Sequence, residues 1–386
     1  MATHLEPAKG YGGVAVSATR LARYFGQAAE PDGAVFLCAS DGSLGTPIKA
    51  EDVNAGKAVS VRLYRTYWFK RWGFGFGAIP ALWNTCSSVG SVYICGISTW
   101  PTTLAAVICR GLRRPYVISP RGGLMPEHVQ HIRRERILKW WFYKLFTIPS
   151  LRHASAIHCT SELEAEGVRA LVAGKNTVAV IPNSVEIDPE YKIPSRVRGP
   201  KEGLTICYIG RLSPEKGINA FTKTWLASRE KNDRLLIAGD GEPGAYLDDF
   251  QLLLKQGQGA IEYLGYINRD VVLDVIARSH FLVLPSGLDG DVRENFGNVV
   301  AEALSLGCPA LVTKGLSWDQ LDSEHAGLCF HRDAQSVQDV LVQARSITDE
   351  HWKKMSIAAR AYAMSRLDAS VISGKVWQLL EDCGKW

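Results

Sequence analysis

Between residues 204 and 313 the chain alternates short apolar runs with amphipathic stretches, and that alternation limits its fold more than any other feature. The runs are LTICYIG (204–210), RLLIAG (234–239), IEYLGYI (261–267), FLVLP (281–285) and PALVT (309–313), each bounded by Gly, Pro, Asn or Asp. Stretches such as INAFTKTWLASRE (218–230) and RDVVLDVIARS (269–279) lie between them. Strands that are apolar throughout and separated by helices imply a parallel sheet covered on both faces, the doubly wound α/β arrangement. A similar rhythm runs through the first half: a helix-like segment at 14–25, then candidate strands at 34–40, 59–65, 91–97, 115–120, 155–160 and 177–182.

A chain of 386 residues exceeds the usual size of one domain. The division expected is a domain over 1–185, a Pro-containing linker over 186–203 and a domain over 204–364. Two such domains facing a cleft bind ligands at the carboxyl ends of their strands. Motifs should therefore follow strands, and they do.

The 46% hydrophobic and 22% charged residues describe an ordinary globular chain. Nine scattered cysteines without a CxxC pair predict reduced core thiols and a cytosolic setting, not a disulfide framework or structural zinc. No run approaches a spanning helix, and the first residues lack a secretory pattern. Residues 1–199 carry 24 Lys and Arg against 14 Asp and Glu, whereas residues 200–386 carry 20 against 25, so the two halves are expected to meet different partners. Nucleic acid is not expected, because no recognition motif accompanies the basic half.

The run 204–210 leads into RLSPEKGI, placing Gly210, Arg211 and Lys216 just after a strand. An arginine fork and a lysine point charge both suit a diphosphate. A second turn, AGDGE (238–242), puts Gly239 and Gly241 where backbone amides can approach the same ligand. In ENFGNVVAEAL (294–304), Phe296, Gly297 and Asn298 lead into a helix whose N-terminus favours an anion. Glu294 and Glu302 flank that N-terminus. Two carboxylates would repel the anion itself, but sugars offer hydroxyl donors, so one suits a transferred sugar and the other a ribose.

At these residues the chain resembles glycosyltransferase family 4, the retaining enzymes of the GT-B fold with an E-x7-E motif. The matching pieces are GGVAVSATRLA (12–22), SPRGGL (119–124), IPNSV (181–185), YIGRLSPEKGI (208–218), LLIAGDGE (235–242), 284–313 and the region around AGLCF (326–330). SPRGGL further resembles a branch that builds bacterial exopolysaccharide or lipopolysaccharide. The resemblance implies two Rossmann-like domains, with a C-terminal helix near 365–386 crossing back onto the first. It implies that Arg211 and Lys216 neutralise the donor diphosphate, Glu294 binds the donor sugar, and Glu302 the ribose. The amides of Phe296, Gly297 and Asn298 would touch sugar and phosphate, with the Gly12-Gly13 loop closing over the donor. Where many members carry a donor-contacting histidine this chain has SPRGG, so Ser119 or Arg121 is the candidate there.

The implied activity is retaining transfer from a UDP- or GDP-linked sugar to a glycan or lipid-linked acceptor, with no cofactor. Front-face attack, with the leaving diphosphate accepting the proton, would need no metal; Asp289 and Asp291 match the letters DxD without its context. Alternatives are a nucleotide-sugar epimerase or phosphorylase on the same fold, or a sugar-nucleotide-binding protein without activity. GFGFGA (73–78) imitates a dinucleotide fingerprint but has its third glycine one residue early, so it reads as a loop entering a helix.

Residues 128–146, HVQHIRRERILKWWFYKLF, mix basic and aromatic residues. They read either as an interfacial helix docking the protein on the anionic cytoplasmic face of the inner membrane, or as a core helix with a solvated basic face.

Overall fold

The computed structural model describes residues 1–8, 12–30, 33–172, 174, 176–193, 203–290 and 292–384. The chain divides into two compact units, Met1–Ser184 with Ala369–Trp386, and Val185–Asp368.

In the first unit, β1 (Val35–Ser40) pairs with β2 (Val59–Tyr64). A second ladder runs in the order β3 (Val92–Cys95), β4 (Tyr116–Ser119), β5 (Ala156–Cys159), β6 (Thr177–Val180), and every pair is parallel. Met1 to Thr3 bridge the two ladders. Ala2 N donates to Cys38 O (3.1 Å), Ser40 N to Thr3 O (3.1 Å) and Cys95 N to Met1 O (2.8 Å). The chain thus starts at the sheet's centre and winds first to one side, then to the other. Helix Gly12–Ala29 packs on this sheet through a stripe of buried Ala15, Ala18, Leu21, Ala22 and Phe25 at helical spacing. Phe25 meets Tyr93 edge-on at 5.9 Å and Trp377 of helix Ala369–Gly384 at 5.3 Å.

The second unit holds β7 (Thr205–Ile209), β8 (Arg234–Ala238), β9 (Ile261–Gly265), β10 (Phe281–Leu284), β11 (Ala310–Thr313) and β12 (Gly327–Phe330). They form one parallel sheet in the order β12-β11-β10-β7-β8-β9. Every residue of β10 and β11 is buried, whereas the edge strands β6 and β9 are partly exposed. Covered faces require apolar residues at every position, which is why the central strands lack alternation. Each of the eleven expected strand segments forms a strand, and AGLCF supplies the twelfth.

Around the expected linker, Val185 N donates to Leu367 O (2.8 Å) and Arg360 Nη2 to Asp188 O (2.7 Å), so 185–188 is bound to the second unit. Residues 194–202 of that linker lie outside the described residues. The terminal helix expected near 365–386 is helix Ala369–Gly384 of the first unit, and a break at Leu367 and Asp368 separates it from helix Asp349–Arg366 of the second. The break coincides with a strand-like bridge between Asp368 and Val185, a pairing too distant in sequence to signal itself. All nine cysteines are free thiols, and only Cys329 is not fully buried.

Candidate functional site

In the second sheet β7 lies between β8 and β10, so the connections leaving β7 and β10 diverge, and a crevice opens at their carboxyl ends. Gly210, Arg211 and Lys216 follow β7, while Glu294, Phe296, Gly297 and Asn298 follow β10. Sheet topology alone therefore brings the two motifs together.

The loop after β7 is pinned by its own backbone. Tyr208 Oη donates to Arg211 O (2.6 Å), Gly210 N to Ala238 O (3.0 Å) and Leu212 N to Asp240 O (2.9 Å). Gly239 has φ +138°, and a Cβ there would lie 1.8 Å from Gly210 O. At Gly241 a Cβ would lie 2.8 Å from Leu212 O. These glycines let the loop after β8 lie directly on the loop after β7, a packing role that the ligand-approach reading of Gly241 did not anticipate.

The turn Pro214–Lys216 ends at Gly217, with φ +72° and a would-be Cβ 1.9 Å from Pro285 O. Ser286 links the two loops: its Oγ donates to Glu215 O (2.7 Å) and accepts from Glu294 N (2.7 Å), while Thr313 Oγ1 donates to Ser286 O (2.8 Å). Across this junction Lys216 Nζ bonds Glu294 Oε2, both side chains being about four-fifths buried. Arg211 pairs with Glu215 at 3.0 Å but is largely exposed. Glu302, inside helix Asn298–Ser305, pairs with Arg269 at 2.8 Å. Both carboxylates of the E-x7-E pattern therefore hold a cation, and both cations expected at a diphosphate hold a carboxylate. The partner Arg269 carried no motif and only the fold brings it near Glu302, whereas Glu215 lies four residues from Arg211 inside RLSPEKGI.

Phe296 is buried, its ring 4.7 Å from Trp318, whose Nε1 donates to Phe296 O. Burying such a ring contributes about 1.5–3 kcal/mol, so its side chain anchors the turn and only its backbone can meet a ligand. Gly297 takes φ +75°, with a would-be Cβ 2.8 Å from a Leu284 methyl, and the helix starts at Asn298. Another helix N-terminus nearby is already filled. Asp289 accepts from Asn219 N (3.1 Å), Ala220 N (3.0 Å) and Tyr246 Oη (2.7 Å), capping helix Ile218–Ser228. That gives Asp289 a structural role the sequence left unassigned; Asp291 lies outside the described residues.

In the first unit, Gly12 and Gly13 open helix Gly12–Ala29, after the segment 9–11 that lies outside the described residues. Ser119 ends β4 fully buried, with no surface to offer a ligand. Arg121 has φ +55° and heads a buried relay. Its Nη1 donates to Asn183 Oδ1 (2.6 Å) and its Nη2 to Tyr93 Oη (3.0 Å), and Tyr93 Oη lies 2.6 Å from His158 Nδ1. His158 Nε2 lies 2.8 Å from Ile181 O, a carbonyl that can only accept, so the ring is protonated at Nε2 and Tyr93 donates to Nδ1. Burial, assisted by the Arg121 charge, pushes the His158 pKa down to about 3, and burial pushes Tyr93 up to about 12. Buried Glu164 accepts from Gly122 N and Thr160 N, clamping the turn after Arg121. Burial drives its pKa upward, and those amides and Arg121 oppose the rise. Neither Tyr93 nor His158 stood out in sequence, since the side chains they meet lie tens of residues away, and Asn183, part of IPNSV, gave no sign of its bond to Arg121.

The segment 128–146 fits neither reading whole. Helix Pro126–Glu135 breaks at Arg136, helix Ile137–Phe142 follows, and one wider turn, Tyr143–Thr147, continues it. Ile132, Tyr143 and Thr147 are buried, but Ile137, Leu138, Trp141, Leu145 and Phe146 face solvent. Among the described residues no helix is long and apolar enough to cross a membrane, and no group of His, Cys, Asp or Glu is arranged to hold a metal ion.

Comparison with known proteins adds to this geometry. The family model described as "Glycosyl transferases group 1" matches residues 203–345, and that described as "Glycosyl transferase 4-like domain" matches residues 12–184. The gpi3 subunit of phosphatidylinositol N-acetylglucosaminyltransferase from Schizosaccharomyces pombe is 32% identical over 171 residues, 44% of this chain and 35% of that protein. Phosphatidyl-myo-inositol mannosyltransferase from Mycobacterium leprae is 26% identical over 208 residues, 52% of each chain. The chain therefore spans about a third to a half of the length of these curated relatives. Among solved structures, Anabaena HepE in complex with UDP-glucose superposes with a TM-score of 0.71 at 16% identity, covering 99% of both chains. At that identity the likeness speaks for the fold.

Proposed function

Because the chain belongs to the GT-B glycosyltransferases of the family 4 type, we propose that it moves a sugar, with retention, from a UDP- or GDP-linked donor to a glycan or lipid-linked acceptor. The observation that carries this reading is the meeting of Lys216 and Glu294 at the topological switch point of the second sheet. A donor diphosphate arriving there supplies Lys216 with a stronger partner than one carboxylate, and the exchange frees Glu294 to accept from sugar hydroxyls. Arg211, already exposed, turns from Glu215 to the same diphosphate. Glu302 reaches the ribose, and the backbone at Phe296 to Asn298 meets sugar and phosphate.

As the anomeric carbon–oxygen bond to the diphosphate breaks, an acceptor hydroxyl attacks from the same face and its proton passes to the leaving phosphate oxygen. The charge left on the diphosphate is met by Arg211, Lys216 and the amides of the helix at Asn298, which fill the role of a divalent cation. Glu294 positions the sugar and takes no proton. The names of the two curated relatives specify phosphatidylinositol lipids, which supports a lipid-linked acceptor. The setting we propose, bacterial surface polysaccharide synthesis at the cytoplasmic face of the inner membrane, rests on the resemblance of SPRGGL (119–124) alone.

The test is a thermal-shift and turnover series with UDP-, GDP-, ADP- and CMP-linked sugars on the wild type and Lys216→Ala. One nucleotide diphosphate sugar stabilises the wild type, and Lys216→Ala loses that shift and about 10²- to 10³-fold of turnover. Chelator leaves turnover intact. Stabilisation unchanged in Lys216→Ala refutes the site, and an epimer or sugar phosphate formed in place of a glycoside refutes the reaction.

A further inference from the structure

We propose that the first unit docks on an anionic lipid bilayer through a surface built from two segments, 67–76 and 137–146, with Trp68 and Phe69 as its inserting residues. The proposal deepens the lipid-linked acceptor reading and rests on it for its purpose, though not for its measurement.

The surface is unusually apolar for one facing water. Trp68 is 68% exposed, Phe69 75%, Phe76 61%, Leu138 84%, Trp141 53% and Leu145 62%. An exposed apolar patch of this kind marks an interaction site. The two segments form one platform. Trp72 and Phe142 lie 6.2 Å apart, Trp72 Nε1 donates to Ser98 O (2.8 Å), Ser98 Oγ is 3.1 Å from Thr147 Oγ1, and Trp100 Nε1 donates to Gly75 O (3.0 Å). Above this base the turn that carries the tip is constrained. Phe69 adopts φ 50° and Gly73 φ 68°, and a non-glycine residue held in the left-handed region persists only where its surroundings enforce it. The aromatic tip is thus displayed by a rigid mount.

Charge identifies the occupant. Residues 53–126 contain no Asp or Glu, and neither do residues 136–161. Arg65, Lys70, Arg71, Arg136 and Lys144 are exposed in these stretches, and Lys144 Nζ lies 5.1 Å from the Trp141 ring. Aromatics at the headgroup level with cations beside them are what an anionic interface selects. A second copy of the chain would oppose this cationic face with another, at the cost of like-charge repulsion.

The experiment is co-sedimentation of the full chain with vesicles of phosphatidylcholine alone or of phosphatidylcholine with 30% phosphatidylglycerol, at low and high salt. The wild type pellets with the anionic vesicles, and high salt or neutral lipid weakens this at least tenfold. The double substitution Trp68→Ala, Phe69→Ala lowers the partition at least tenfold, as does Leu138→Ala, Trp141→Ala, while circular dichroism and the donor thermal shift stay those of the wild type. Equal pelleting of wild type and both double variants overturns the proposal. So does wild-type binding indifferent to lipid charge and salt, or a concentration-dependent dimer abolished by the Trp68, Phe69 pair. Because the donor shift is read separately, these outcomes leave the proposed donor site standing, and loss of the donor shift alone leaves the docking surface standing.

Discussion

In the second unit the loops after β7 and β10 meet through opposite charges, Lys216 with Glu294, and Arg211 pairs with Glu215 within the first of these loops, whereas in the first unit the loop after β4 is tied down through Arg121, Tyr93 and a neutral His158. The sheets share parallel winding, but their rims are built for different tasks. An ion pair can exchange a partner for a charged ligand without leaving a bare charge, because the pair and the complex are both charge-compensated. A buried relay whose members each satisfy another cannot be opened without leaving an orphan. The second rim is therefore suited to binding and release, and the first to holding a loop still.

The comparison breaks first at Gly217. If the charged rim depends on the loops being pressed together, Gly217→Ala removes both stability and donor binding. The new Cβ would sit 1.9 Å from Pro285 O in a backbone at φ +72°, so the turn must move away from β10 and Lys216 from Glu294 with it. Denaturant unfolding is expected to show a loss of about 2–4 kcal/mol, since strain and lost contacts add. A variant as stable as the wild type would mean that the junction is loose.

How much of this was legible in the sequence follows the same division. The strands of both units and the residues at the second rim could be read, because buried parallel strands are apolar at every position and diphosphate-type groups sit just past strand ends. The reach of each group could not. Arg269, which holds Glu302, is an ordinary surface charge until the fold places it beside its partner, 33 residues away along the chain. Asp289 looked like half of an acidic motif and is a helix cap formed across 70 residues. In the first unit SPRGG offered Ser119 or Arg121 for a donor contact, yet Ser119 is buried there and the relay partner His158 lies inside β5, where an apolar run hides it. Exposed Trp68 and Phe69 look like core residues in a linear reading, because aromatic content does not reveal which side faces water.

A second test sharpens the claim that the first rim is locked. Tyr93→Phe leaves an Arg121 donor and His158 Nδ1 without their partner, and the expected loss is about 1–3 kcal/mol, read by denaturant unfolding. Acidity probes the same relay. The folded His158 pKa is depressed to about 3 and that of His4 to about 4, from an ordinary 6.5. Below pH 6.5 the unfolded chain binds protons that the folded one refuses, so stability is complete above that pH and falls as pH drops towards 3. The slope approaches about 1.4 kcal/mol per pH unit for each histidine. Gln can donate to Ile181 O and accept from Tyr93 as the imidazole does, so His158→Gln should keep the fold and flatten its share of the slope. An unchanged slope would place the acid sensitivity outside the relay.

The smallest effect is the most discriminating for the charged rim. Glu302 pairs with Arg269, whose side chain is 43% exposed, and a pair so open to solvent contributes about 0.2–1 kcal/mol. Arg269→Ala should therefore cost almost no stability. If Glu302 must leave Arg269 to reach a ribose, the substitution removes that competitor and tightens nucleotide diphosphate binding about two- to fivefold, the same energy seen from the other side. Calorimetric titration of Arg269→Ala and of Arg269→Ala, Glu302→Gln measures it, with the gain expected in the single variant and absent from the double. A weaker single variant would mean that Arg269 itself touches the donor, and the rim would then offer the diphosphate three cations in place of two.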